Sequence, residues 1–177
     1  MVMSTTEQTG QSQANAPAQA SFPVRPMVYV VRFCGAQPSS IGAAVGQAIT
    51  VLDNFLSRLG MRLPSQLFVV YRNHIEGAVT VQVGYPVSKE ATAAVTGEIF
   101  AGSTPSGPMV ALVGERTLDE ILSVGRSLPE GSGSYTWQIL EEADFRPWTG
   151  KLVESLLVPA QLWPHVQKQA AVAGGGE

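Results

Sequence analysis

The patterned part of the chain opens with Met27-Val28-Tyr29-Val30-Val31-Arg32-Phe33, a β-branched and aromatic run that stops at Gly35 as a strand does. Pro38 and the Ser39-Ser40 pair then supply a turn and a helix cap. From Ile41 the apolar positions Val45, Ala48, Ile49, Leu52, Leu56 and Leu59 recur at spacings of three and four, one face of a helix that Gly60 ends. Gln47, Asp53, Asn54 and Arg58 occupy the opposite face, so this helix is half-buried. Two strands follow over 67–72 and 78–87, the second alternating Val79, Val81 and Val83 with Thr80 and Gln82. The link 73–77 between them is short enough for a hairpin.

The same order then recurs. Met109 to Val113 is an apolar run that stops at Gly114, and Thr117 can cap a helix carrying Leu118, Ile121, Leu122 and Leu128. Strands are expected over 135–140 and 151–158. Gly35 precedes Gly46 by eleven positions and Gly114 precedes Gly125 by eleven, while Val83-Gly84-Tyr85-Pro86-Val87 is echoed by Leu156-Leu157-Val158-Pro159-Ala160. The common order predicts an internal duplication. The fold class that follows is α+β: a tandem β-α-β-β repeat with pseudo-twofold symmetry, a mainly antiparallel sheet and the helices on one face. A cleft between two such halves is the natural place for a ligand.

Composition trims this picture at both ends. Residues 1–26 are mostly Gln, Ser, Thr, Ala and Pro, too poor in apolar surface to offset the entropy of ordering, and are expected to be a disordered tail. Residues 161–177 close in Ala and Gly and are expected to be a loose C-terminal tail, leaving 27–160 as the domain. No secretory pattern opens the chain and no run of about eighteen apolar residues occurs, so a cytoplasmic protein with no membrane partner is expected.

Charge and scarce chemistry exclude further classes. A net charge of −3 without a basic stripe argues against direct nucleic-acid binding. Cys34, His74 and His165 stand at no metal-ligand spacing, so neither a metal nor a cofactor is expected. Cys34 has no visible base with an orienting partner and reads as an inert thiol. The Gly-Ser stretch 131–134 lacks the Lys-Ser or Lys-Thr ending of a phosphate loop and reads as a connector.

The segment 28–59, followed by Phe68-Val69-Val70-Tyr71-Arg72-Asn73 and a strand ending in Pro86, resembles the first half of the GyrI-like (gyrase-inhibitor-like) family. That family includes the effector-binding domains of AraC- and MerR-type bacterial regulators. Gly107-Pro108-Met109-Val110-Ala111-Leu112-Val113-Gly114, Trp137-Gln138-Ile139-Leu140 and Leu152-Val153-Glu154-Ser155-Leu156-Leu157-Val158-Pro159 resemble the second half. The resemblance implies a central cleft that takes apolar or aromatic small molecules, often cations, against aromatic rings and a buried carboxylate. In some stand-alone members it implies hydrolysis of cyclopropane-containing toxins. The chain departs from the family where Gln138 follows Trp137 in place of the usual Glu, because Gln carries no charge and cannot act as a general base. No helix-turn-helix pattern precedes Met27, so a stand-alone domain is expected rather than a complete regulator.

The expected ligand-binding residues are Tyr71 and Trp137 as stacking surfaces, Gln138 as an orienting polar group, Glu154 as the charge, Trp148 as a lid and Phe68 as a further aromatic wall. Each also fits plain core packing or a solvated strand face, and register decides between the two. Three functions are then open. The first is binding of a hydrophobic or aromatic small molecule, and the second is hydrolysis of a reactive toxin with Glu154 activating water. The third is binding to a protein partner, such as gyrase or a regulator, or to a second copy in a homodimer.

Overall fold

The computed structural model describes residues 18–75, 77–127, 136–141 and 151–173. Leu128, the 131–134 stretch and Trp148 lie outside them. Eight strands form one sheet: β1 (Ala18–Phe22), β2 (Pro26–Gly35), β3 (Gln66–Ile75), β4 (Ala78–Pro86), β5 (Phe100–Ser103), β6 (Gly107–Thr117), β7 (Thr136–Glu141) and β8 (Lys151–Pro159). The helices are α1 (Pro38–Arg58), α2 (Lys89–Ala93), α3 (Leu118–Arg126) and α4 (Trp163–Ala173). The strand order is β1-β6-β8-β7-β3-β4-β2-β5, and every neighbouring pair is antiparallel. Outward from the central β3–β7 pair, the strands run β3, β4, β2 on one side and β7, β8, β6 on the other. The fold is therefore α+β with a mainly antiparallel sheet, as the sequence pattern predicts.

Alternation along the strands divides the sheet into two unlike faces. On one face Val28, Val30, Val69, Tyr71, Val81, Val83, Val110 and Leu112 meet Ile41, Val45, Leu52 and Leu56 of α1 and Ile121 and Leu122 of α3 in a single core cluster. Helices α1 and α3 thus cover the same side. On the opposite, helix-free side a smaller cluster of Met27, Phe68 and Val70 is flanked by Phe22, Tyr29 and Ala111. The cap expected at Thr117 for α3 is present, and it is a full capping box: the Thr117 hydroxyl accepts from the Glu120 N–H and the Glu120 carboxylate accepts from the Thr117 N–H. Gly60, at φ +67°, supplies the left-handed turn that stops the chain after α1.

Several expected boundaries are corrected. Helix α1 begins at Pro38, not beyond it, because proline's fixed φ and missing N–H suit the first helical position. Ser39 and Ser40 therefore lie inside the first turn, and Gln37 is an N-cap without a side-chain hydrogen bond. Strand β6 continues past Gly114 to Thr117, since β8 pairs with it at nine positions and the ladder does not end at a glycine. Both presumed tails carry regular structure. In the first, β1 pairs with β6 from Ala18↔Ala111 to Phe22↔Gly107, so ladder hydrogen bonds, with Phe22 against the smaller cluster, order a segment of low apolar content. In the second, α4 docks through Val166, which clusters with Leu162 and Val158 and is flanked by Trp163.

Among the described residues no helix is long and apolar enough to cross a membrane. The sheet is tight at Gly84 on β4, between Tyr29 of β2 and Phe68 of β3. A Cβ there would stand 2.8 Å from the Val28 carbonyl oxygen and 2.9 Å from the Tyr29 Cβ. Gly84→Ala should therefore lower the unfolding free energy by about 1–3 kcal/mol through overpacking, read by urea denaturation. An unchanged midpoint would mean that β2 and β4 lie further apart than described.

Candidate functional site

Register sorts the candidate residues by side of the sheet. Tyr71 lies on the helix-covered side in the main core, with 1% of its surface exposed. Gln138 pairs with Val69 on β3 and with Leu156 on β8, which places it on that same side. Glu154 pairs with Gly114 and stands two residues from Leu156, so it shares this side as well. Trp137 pairs with Val70 and Leu157. That puts it with Phe68 on the helix-free side, opposite Tyr71. Tyr71 and Trp137 occupy comparable strands, yet they differ by one register step and cannot face one cleft together.

Sequence pattern missed a further pair on the helix-covered side. Asp53, expected on the solvent face of α1, is half-buried, and the hydroxyl of buried Tyr85 donates a hydrogen bond to its Oδ1 at 3.1 Å. The signal was available in the spacing: Asp53 lies four residues after Ile49 and three before Leu56, at the margin of the apolar stripe. Strand pairing then connects this pair to Glu154. Phe68↔Gly84 sets Leu67 beside Tyr85, Leu67 pairs with Leu140, and Ile139↔Ser155 sets Leu140 beside Glu154. One transverse row on the helix-covered side thus runs Tyr85, Leu67, Leu140, Glu154. At roughly 4.8 Å per strand its ends are about 14 Å apart, astride the β3–β7 seam.

The helix-free side has a different character. Phe33 is 69% exposed there, and the rings of Tyr29 and Phe100 stack with centroids 5.6 Å apart. Gln82, between Val31 and Val70 in register, is only 2% exposed, and its Oε1 has no hydrogen-bond partner. An amide oxygen so placed is a cost to the fold, because it has left water without a replacement donor. Phe68 of the expected site lies on this side too, with the Arg25 guanidinium carbon 5.9 Å from its ring centroid.

Burial pushes the Cys34 thiol above its ordinary pKa, the opposite of what an activated nucleophile needs. Among the described residues no group of three His, Cys, Asp or Glu side chains could hold a metal ion. The one strong charge pair among them, Arg32 with Glu98 at 2.6 Å, is at the surface.

No family model and no curated protein matches the chain. Solved structures do match it. SAV2435 bound to tetraphenylphosphonium aligns with a TM-score of 0.51 and 8% identity, over 82% of this chain and 95% of that one. A hydrolase encoded by lin2189 from Listeria innocua aligns with a TM-score of 0.45 and 11% identity, over 84% of this chain and 93% of that one. The likeness to SAV2435 is one of fold, and it agrees with the GyrI-like architecture expected from the sequence.

Two substitutions test the site's geometry in opposite directions. Tyr85→Phe should cost about 0.5–1.5 kcal/mol by removing the hydrogen bond to Asp53. Gln82→Met keeps the side chain's length and removes the unpaired amide, and should raise the melting temperature. Destabilisation by Gln82→Met would mean that the amide has a partner after all.

Proposed function

We propose that this GyrI-like domain binds a small molecule, apolar and aromatic in body and cationic in preference, on the helix-covered side of the β3–β7 seam. The observation that carries the reading is the Tyr85–Asp53 pair, a carboxylate fixed by an aromatic hydroxyl at the margin of an apolar core. A desolvated carboxylate favours a positive partner, and aromatic faces attract the same charge. Glu154, at the far end of the same row, gives a second acidic position across the seam, with Gln138 between the two as a neutral hydrogen-bonding group. The family's acidic function at position 138 would in this chain pass to Asp53 and Glu154.

Tyr71 supplies the aromatic surface in this reading, and its burial sets a condition on binding. The ring is buried in the main core, so a ligand reaches it only when the packing over it opens, and affinity carries the cost of that opening. The tetraphenylphosphonium bound to SAV2435 supports the choice of a lipophilic cation as first probe, since the two chains share a fold.

The test is a thermal-shift titration with tetraphenylphosphonium. A saturable rise in melting temperature is expected, and Asp53→Asn and Glu154→Gln should each weaken the apparent affinity by about tenfold, the effect of one lost charge-assisted contact. Trp137→Ala should leave the affinity within about twofold of the parent, because position 137 lies on the other side of the sheet. No shift across a panel of lipophilic cations, or a loss confined to Trp137→Ala, would overturn the reading.

A further inference from the structure

We infer that Arg25, with the depression beside it, forms a second binding site that takes a small carboxylate with an apolar body. Arg25 is exposed, yet both its backbone and its side chain are held. Its N–H donates to the hydroxyl of buried Thr104 at 3.0 Å, and its carbonyl accepts from the Thr104 N–H at 2.9 Å. The next carbonyl, of Pro26, accepts from the Val87 N–H at 2.9 Å. The side chain then crosses the end of β4, where Nη2 donates to Gln66 Oε1 at 3.2 Å and the guanidinium sits near the ring of Phe68.

This arrangement orients the cation without neutralising it. Gln66 contributes a neutral acceptor, and among the described residues the ion pair present, Arg32 with Glu98, does not involve Arg25. A guanidinium has five N–H donors in a rigid fork, and the hydrogen bond to Gln66 uses one of them. An arginine already fixed in direction loses less freedom when an anion arrives than a mobile surface one does.

The space beside it defines the ligand. A depression of about 280 Å³ is lined by Arg25, Pro64, Ser65, Gln66, Pro86 and Val87. Its described walls hold one cation, one hydroxyl, one amide and three apolar side chains, and no carboxylate. The fork geometry suits a planar carboxylate in bidentate contact, and the proline and valine walls suit a small ring or short aliphatic chain behind it. Its lining includes no residue of the Tyr85 to Glu154 row, so it stands or falls independently of the cation-binding reading.

Benzoate is the probe, titrated into the ¹⁵N-labelled full chain and followed by NMR. Saturable shifts are expected at the amides of Ser65, Gln66 and Val87 and at the Arg25 Nε–H, with no change when saturating tetraphenylphosphonium is present. Neutral benzamide should produce no saturable shift at these positions. Arg25→Gln should abolish benzoate binding, and Arg25→Lys should weaken it by at least about fivefold, because an ammonium cannot make the bidentate contact. Equal shifts with benzoate and benzamide, binding retained in a folded Arg25→Gln, or no saturation at these amides would each overturn the inference. The benzoate and benzamide comparison uses the unaltered protein, so it decides the matter even if a variant fails to fold.

Discussion

Six residue pairs between β3 and β7, from Gln66↔Glu141 to Tyr71↔Thr136, join the two groups of strands into one sheet. This seam does more than hold the halves together, because its register decides which residues share a side. A slip of one position would carry Gln138 and Glu154 to the helix-free side and bring Trp137 beneath α1 and α3. Register here is fixed by burial on both sides: Leu67, Val69 and Tyr71 point into the main core while Phe68 and Val70 fill the smaller cluster. Neither set could be exchanged without exposing the other.

The helix-covered side follows from that constraint. Helix α1 lies against β2 and β4, while α3 lies against β3, β6, β7 and β8, and side chains of both belong to one apolar cluster. Packing of this kind contributes much of the domain's stability and also occupies the space that a ligand would need. In the proposed reading, binding above the seam competes with helix packing, and the half-buried Asp53 at the margin would favour entry of a cation. The helix-free side works under the opposite condition: part of its apolar surface, with Phe33 and Phe100, faces outward already.

The sequence carried the fold further than the site. Periodicity located α1 and the pairs β3–β4 and β7–β8, because half-buried elements leave a clear alternation of apolar and polar residues. It passed over β1, whose Ala-Gln-Ala-Ser-Phe stretch is ordered by pairing with β6, with Phe22 against the smaller cluster. It passed over β5 as well, a four-residue edge strand that exists only because β2 offers an unpaired flank. The site depended on register, which no single strand encodes. Tyr71 and Trp137 look equivalent when their strands are read one at a time, and only the pairing of Val70 with Trp137 separates them. Asp53 was hidden for a related reason: its polar type suggested solvent, while its place on the helix turned it toward Tyr85.

The most direct test of the claim that the ligand side is the helix-covered one is a map of intermolecular NOEs between the phenyl protons of bound tetraphenylphosphonium and the protein. Contacts are expected to the rings of Tyr71 and Tyr85 and to the methyl groups of Leu52 and Leu122, which belong to the core cluster on that side of the sheet. Contacts to Phe33, Val31 and Phe100 in their place would put the ligand on the helix-free side and contradict it.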